Sequence, residues 1–364
     1  MTRAVIAAVA GAPLEVREVD PGPLGPNDVR VRLVAAGVCH SDLSITNGTI
    51  PCEFPVVLGH EAAGVVAEVG SAVSAVAPGA HVVLNWAPPC RACFFCTHGE
   101  PWLCVKNAGV SNLDRGVRLE GSTVYSTLGL GAFSEEVVLP EGSVVVVPDE
   151  LPLEVAALLG CAVLTGLGAV VHPGHVHPGD SVAVVGLGGV GLSALAGARL
   201  AGAGTIVAID RAPDKEALAR AEGASEFVLA DEELARRVRG LTEGRGADHV
   251  FDCVGSAATI RASWNSARRG GRVTVVGVGR RSESVEFNPL ELFHQARTLT
   301  SSIYGSSDPE HDLPALVAHV LAGEVDVERL VTHRCGLEGV GEAFSRMEQG
   351  VGGRTVIELG VERG

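Results

Sequence analysis

The sequence predicts an α/β protein of two units, a β-rich one and a doubly wound parallel one. Before Leu151, short alternating segments are cut by Pro/Gly turns, which reads as β structure with long loops. Beyond Leu151, apolar strands alternate with helical stretches, the pattern of a parallel sheet with crossover helices. One of those strands runs directly into the glycine-rich turn Gly186-Leu187-Gly188-Gly189-Val190-Gly191. A length of 364 residues fits two folded domains better than one core.

In the first half the alternating segments are residues 29–35, 64–69, 81–84 and 137–139, separated by turns at 21–26, Pro78-Gly79 and Pro88-Pro89. In the second, the expected strands are 181–185, 205–210, 226–229, 249–254, 272–277 and 298–304. The tail carries helix signals at 313–322 and 339–348 and a last strand at 354–359, and is expected to return to the first unit. The expected division is therefore 1–162 with 304–364 against 163–303.

Apolar residues make up 46% and charged residues 20%, enough for large cores. The net charge of −15, from 28 basic and 43 acidic residues without a basic run, argues against nucleic acid as a partner. Met1 to Val9 is apolar but lacks a charged lead-in and continues into a strand pattern. No stretch reads as long and apolar enough to cross a membrane, and nine cysteines without an export signal point to reduced thiols and metal. The expected location is the cytoplasm.

Cys90, Cys93, Cys96 and Cys104 place four thiols within a span that can fold round one ion, the closed set of a structural zinc. Cys39, His60 and Cys161 are further soft ligands; three protein ligands leave a coordination position open for chemistry.

The 182–185 strand, its glycines and the helix expected at 192–200 form a dinucleotide fingerprint. Gly186 permits the tight turn, Gly188 lets backbone approach a pyrophosphate, and Gly191 lets the helix pack close, with Gly189 and Val190 as further cofactor contacts of the same turn. The second strand ends at Asp210, where a carboxylate holds the adenosine ribose hydroxyls and repels a 2′-phosphate. NAD is expected over NADP, although Arg211 follows directly.

These motifs together resemble the zinc-containing medium-chain alcohol dehydrogenases across nearly the whole chain. The resemblance rests on Gly37-Val38-Cys39-His40-Ser41-Asp42, Gly59-His60-Glu61-Ala62-Ala63-Gly64, the four-cysteine loop, Gly160-Cys161-Ala162-Val163-Leu164-Thr165-Gly166, the Gly186 to Gly191 fingerprint and Arg354. Leu84-Asn85-Trp86 and Gly166-Leu167-Gly168-Ala169 are similar to the branch with thiol-dependent formaldehyde dehydrogenases. The resemblance implies a GroES-like catalytic unit, a Rossmann cofactor unit, two zinc ions per chain and a homodimer paired through the last parallel strand.

Carried onto this chain, it implies a catalytic zinc on Cys39, His60 and Cys161, with Glu61 as an alternate ligand and Asp42 orienting His60. Ser41 accepts the alcohol proton; His40, Lys215 and Arg354 contact the nucleotide; Trp86, Ile50, Leu128 and Val278 wall the substrate channel. Ser44 stands where relatives often carry a relay histidine, so the last proton step must use water, Ser44 or another route. Lys215 has the plain alternative of a solvated helix residue.

The implied reaction is hydride transfer between an alcohol and NAD, with an aldehyde or ketone in reverse. Two alternatives stay open. One is oxidation of the S-hydroxymethyl adduct of mycothiol or glutathione, for which a basic cluster of Arg115, Arg118 or Arg280 is the discriminating feature. The other is a non-catalytic nucleotide-binding protein of the same fold. His172, His175 and His177 read as a surface turn, Cys253 as packing within a strand, and Cys52 and Cys335 have no role.

Overall fold

The computed structural model describes residues 1–107 and 113–360; residues 108–112 and 361–364, all within the expected first unit, lie outside the described residues. The chain divides into two compact units, Met1–Cys161 with Asp308–Gln349 and Arg354–Gly364, and Ala162–Ser307 with Gly350–Gly353. The division falls after Cys161 and Ser307, and four residues of the tail side with the second unit.

The first unit is built on a seven-stranded sheet in the order Val144–Val146, His81–Leu84, Ala62–Val69, Asp28–Gly37, Arg354–Glu358, Val331–Cys335, with Glu136–Pro140 also pairing Asp28–Gly37. Asp28–Gly37 is its spine. It lies antiparallel to Ala62–Val69, with Leu33 opposite Gly64, and to Arg354–Glu358, with Gly37 opposite Val356. Gly64 is forced by that pairing, because a Cβ there would stand 2.1 Å from the Arg32 carbonyl oxygen. Alternation along the spine buries Val29, Val31 and Leu33 in a core shared with Leu58, Val82, Leu84, Phe133 and Ile357. A smaller sheet pairs Leu14–Val19, Thr2–Ala7, Val56–Val57 and Tyr125–Ser126.

The second unit is a six-stranded sheet in the order Glu226–Leu229, Thr205–Asp210, Ser181–Val185, Ala247–Asp252, Ala267–Val275, Thr298–Ser301, with every pair parallel. The order reverses beside the Ser181–Val185 strand, which makes the ends of that strand and its neighbours the binding crevice of a doubly wound sheet. Its core packs Ala183, Val185, Val207, Ile209, Val250 and Val273 against Leu234, Val238 and Trp264.

Two expectations are corrected. A continuous helical run, Leu153–Gly174, is 22 residues long and contains an 18-residue window with a mean hydropathy of 2.0, so by length and composition one segment does suffice to cross a membrane. Its apolar character has another cause: 78% of that window is buried inside the fold. Cys253 lies just beyond the Ala247–Asp252 strand rather than within it.

Candidate active site and metal centres

Four side chains in the first unit, Cys39, His60, Glu61 and Cys161, bring their ligand atoms to within 4.8 Å of one another, and all are buried. Cys39 is the N-cap of the short helix His40–Thr46, in extended backbone at φ −117°. His60 and Glu61 follow Gly59, whose φ of +95° and close contact with Phe133 admit only glycine. Cys161 sits in a π-helical stretch, Leu159–Val163, inside the long buried helix. An extra residue in the turn re-aims a side chain, and such bulges recur at functional sites.

Asp42 is fully buried and organises two of these residues, Cys39 and His60, together with the Gly59 turn. Its Oδ1 accepts from the Gly59 amide at 3.0 Å and lies 3.0 Å from His60 Nδ1; its Oδ2 accepts from the Cys39 amide at 3.4 Å. An ionised carboxylate only accepts, so His60 Nδ1 carries the proton and Nε2 keeps its lone pair for a ligand. That Nε2 lies 3.4 Å from Cys161 Sγ.

The electrostatics agree with a cation site. Hydrogen bonding from Cys161, with help from His60 and Arg354, holds the Cys39 thiol well below its usual range against the effect of burial. Cys161 is pushed well up, first by that same thiolate and then by burial. Burial opposes charge on His60, but Asp42 and Cys39 outweigh it and raise its pKa; the second proton this favours sits on Nε2 and is the one a metal displaces to take that lone pair. Burial lifts Glu61 to about 7 despite the neighbouring Arg354 guanidinium. Glu61 Oε2 accepts from Arg354 Nη2 at 2.6 Å, whereas Glu61 Oε1 is buried without a hydrogen bond. Two thiols, an imidazole with its lone pair set free and a half-satisfied carboxylate are the donor set of a borderline-soft ion, and zinc fits it.

The four-cysteine loop forms the second cluster, with Cys90, Cys93, Cys96 and Cys104 sulfurs again within 4.8 Å of one another. Backbone amides point at the sulfurs. The Cys90 amide donates to Cys104 Sγ at 3.3 Å, and amides of Cys96 and Val105 bring the Cys93 thiol down to about 6. Burial and the Cys93 thiolate push Cys96 up to about 12, a proton that a metal displaces. Arg91, at φ +58°, clamps the loop through Asp308 at 2.5 and 2.7 Å and Glu310 at 2.7 Å.

In the second unit, Gly186 has φ +89° and Gly191 is compulsory, since a Cβ there would stand 1.9 Å from the Gly186 carbonyl oxygen. Gly188, by contrast, has nothing within 4 Å of its Cβ position, so the space over the helix Gly189–Leu200 is open to a phosphate. Asp210 accepts from the Leu187 amide at 2.7 Å and the Ala212 amide at 3.0 Å, which fixes its carboxylate beside the glycine turn. Gly255, Ala257, Ile260, Gly277, Arg280 and Glu283 line a cavity of about 230 Å³ past the ends of two central strands.

Ser41 Oγ lies 3.9 Å from Cys39 Sγ, close to the first cluster; His40 is exposed on the same helix and Ser44 is buried. Trp86 and Ile50 pack against the first unit's core, Leu128 takes φ +48°, and Val278 is exposed in the second unit. Lys215 is buried and donates to the Gly352 carbonyl, which overturns its alternative as a solvated residue. Arg354 is buried against Glu61, a pairing the sequence did not suggest because 293 positions separate them. Arg115 Nε donates to Gly129 O at 3.1 Å and Arg118 pairs with Asp114 at 2.8 Å, so both spend charge or donors locally.

Comparison with known proteins places this geometry. Residues 25–149 match the family profile described as alcohol dehydrogenase GroES-like domain, and residues 189–322 the one described as zinc-binding dehydrogenase. The chain is 38% identical to an S-(hydroxymethyl)glutathione dehydrogenase of Escherichia coli, covering 98% of this chain and 99% of that one. It superposes on an alcohol dehydrogenase zinc-binding domain protein of Burkholderia ambifaria with a TM-score of 0.92 at 31% identity, covering 99% of each chain. Against benzyl alcohol dehydrogenase of Acinetobacter calcoaceticus the TM-score is 0.91 at 26% identity, again over 99% of each. The chain belongs to the zinc-containing medium-chain alcohol dehydrogenase family.

Proposed function

We propose that this oxidoreductase is NAD-dependent, that Cys39, His60 and Cys161 hold the catalytic zinc, and that Ser41 accepts the substrate's proton. The observation that carries the reading is the buried cluster around Asp42, which supplies three ligands and presets the His60 tautomer. Zinc in that cluster supplies Lewis acidity toward an alcohol oxygen, and NAD supplies the hydride acceptor. Ser41 lies near enough to Cys39 to meet the alcohol hydroxyl, and Ser44, one helical turn along, offers a route onward. Asp210 supports NAD because its fixed carboxylate suits ribose hydroxyls and repels a 2′-phosphate. Cys90, Cys93, Cys96 and Cys104 hold a second, structural zinc.

A second reading, oxidation of an S-hydroxymethyl adduct of glutathione or mycothiol, draws support from the 38% identical relative. The local engagement of Arg115 and Arg118 weighs against a basic cluster for such a thiol. NADH formation from a panel of free alcohols, and from formaldehyde with and without each thiol, separates the two. Turnover of free alcohols without thiol supports the first reading; strict thiol dependence replaces it with the second.

Among the described residues the Thr298–Ser301 edge strand pairs on one side only, and Leu290, Leu292, Phe293, Leu299 and Ile303, in it or just before and after it in sequence, are exposed. That edge supports a homodimer, and a monomeric mass in solution would contradict it.

A further inference from the structure

The segment 236–297 carries eleven arginines and no lysine against six acidic residues, in a chain whose net charge is −15. Part of that charge converges on one corner of the second unit. Arg239 Nη1 donates to Asn265 O at 3.1 Å, at the end of the helix Ala257–Ser266, and Arg297 Nε donates to Arg268 O at 3.1 Å. These are ordinary uses of arginine at helix and strand ends. Each consumes one N–H group and, among the described residues, leaves the rest of the guanidinium without a hydrogen bond.

The Arg297 guanidinium lies 5.4 Å from the centre of the buried Trp264 ring, and Arg261 lies 5.5 Å from the centre of Phe287. Glu291 serves this corner with one oxygen on Arg261 Nη2 at 2.8 Å and the other on Trp264 Nε1 at 2.8 Å. Among the described residues, neither Arg239 nor Arg297 has an ion-pair partner, and Glu291 pairs with Arg261 alone of the three. Arg261 Nη1 is buried and makes no hydrogen bond. A buried charged donor without an acceptor is costly, and aligned cations raise the cost further. Burial, aided by repulsion from Arg239 and Arg261, holds the Arg297 pKa below its usual value.

We propose that Arg239, Arg261 and Arg297 form a binding site for a phosphate dianion, free or as a phosphate monoester. A local surplus of two positive charges matches a dianion, and guanidinium forks suit phosphate oxygens. The site is distinct from the cofactor crevice. Arg297 precedes the Thr298–Ser301 strand and Arg268 opens the Ala267–Val275 strand, whereas Gly186 and Asp210 stand at the opposite, C-terminal ends of the sheet.

The test is calorimetric titration of the zinc-loaded, NADH-saturated protein with inorganic phosphate and, separately, with glycerol phosphate, at constant ionic strength set with chloride. Saturable binding is expected, weakened at least tenfold in Arg261→Gln and Arg297→Gln and unchanged in Arg236→Gln, whose partner is Glu233. Because Arg297 stacks on the core, the exposed Arg239→Gln provides a variant that leaves Trp264 untouched, with a weakening of the same sign. Tighter binding of the ester assigns a phosphorylated metabolite as the source, and tighter binding of inorganic phosphate assigns the free ion. Absence of saturable binding overturns the proposal. So does unaltered affinity in all three variants, and if those variants instead turn monomeric, the occupant is an acidic face of a second copy.

Discussion

Replacing Asp42 by Asn keeps shape and removes one charge at the point where the catalytic cluster is organised. In the wild type the carboxylate accepts from His60 Nδ1 and Gly59 N on one oxygen, both at 3.0 Å, and from Cys39 N at 3.4 Å on the other. An amide has one accepting end. If its oxygen stays on His60 and Gly59, its NH2 faces the Cys39 amide, donor against donor; flipped, it faces His60 Nδ1–H. Either way one charge-assisted hydrogen bond to a ligand residue becomes neutral or repulsive inside a fully buried site. Loss of such an outer partner typically weakens metal binding about 10- to 100-fold, or about 1.4–2.7 kcal/mol. Competition with a chromophoric chelator reads this directly: one of two zinc ions leaves at about tenfold or more lower chelator concentration, while the four-cysteine ion stays. Zinc affinity within twofold of wild type at both sites would refute the role given to Asp42.

Asp210→Gly removes the carboxylate beside the glycine turn, and the ratio of kcat/KM for NAD over NADP is expected to fall at least tenfold; an unchanged ratio would show that discrimination lies elsewhere. Cys90→Ser opens the four-cysteine site and is expected to lower zinc content by one per chain and the Tm by several degrees, with calorimetry and metal analysis as readouts. Asp248 is held at about 2, since hydrogen bonds from Ser181 and the Arg268 guanidinium overcome the effect of burial. Its folded pKa lies below the unfolded value of about 3.9, so it stabilises the protein above pH 4 and loses that contribution as pH falls towards 2. Asp248→Asn is therefore expected to destabilise by about 1 kcal/mol at pH 7, discounted for partial exposure, and by progressively less below pH 4. A pH-independent loss in denaturant titrations would contradict that sign.

The Rossmann strands were the most legible part of the fold. Ser181–Val185, Thr205–Asp210 and Glu226–Leu229 are short apolar runs between turn signals, and their expected bounds coincide with the observed ones. Ala247–Asp252 and Ala267–Val275 start earlier than expected, because the Ala247–Ala267 pair extends both strands across a bulge that holds Asp248, Arg268 and Arg269, which the hydrophobic pattern excludes. The ligand residue types were visible because cysteine and histidine spacing is local information. What the sequence concealed was long-range. Nothing near Lys215 announces Gly352, nothing near Glu61 announces Arg354, and the π-helical turn that aims Cys161 leaves no mark in the pattern of Leu159–Val163. The membrane-length helix was missed because its apolar run is punctuated by Gly160, Gly166 and Gly168, which packing requires.

The catalytic role of the Cys39, His60 and Cys161 cluster is tested by the zinc content of Cys161→Ser beside that of the wild type, measured with alcohol-dependent NADH formation on the same samples. Two zinc ions are expected to fall to one, with turnover abolished and NADH still bound. Two retained ions with undiminished turnover would contradict the assignment of the catalytic site.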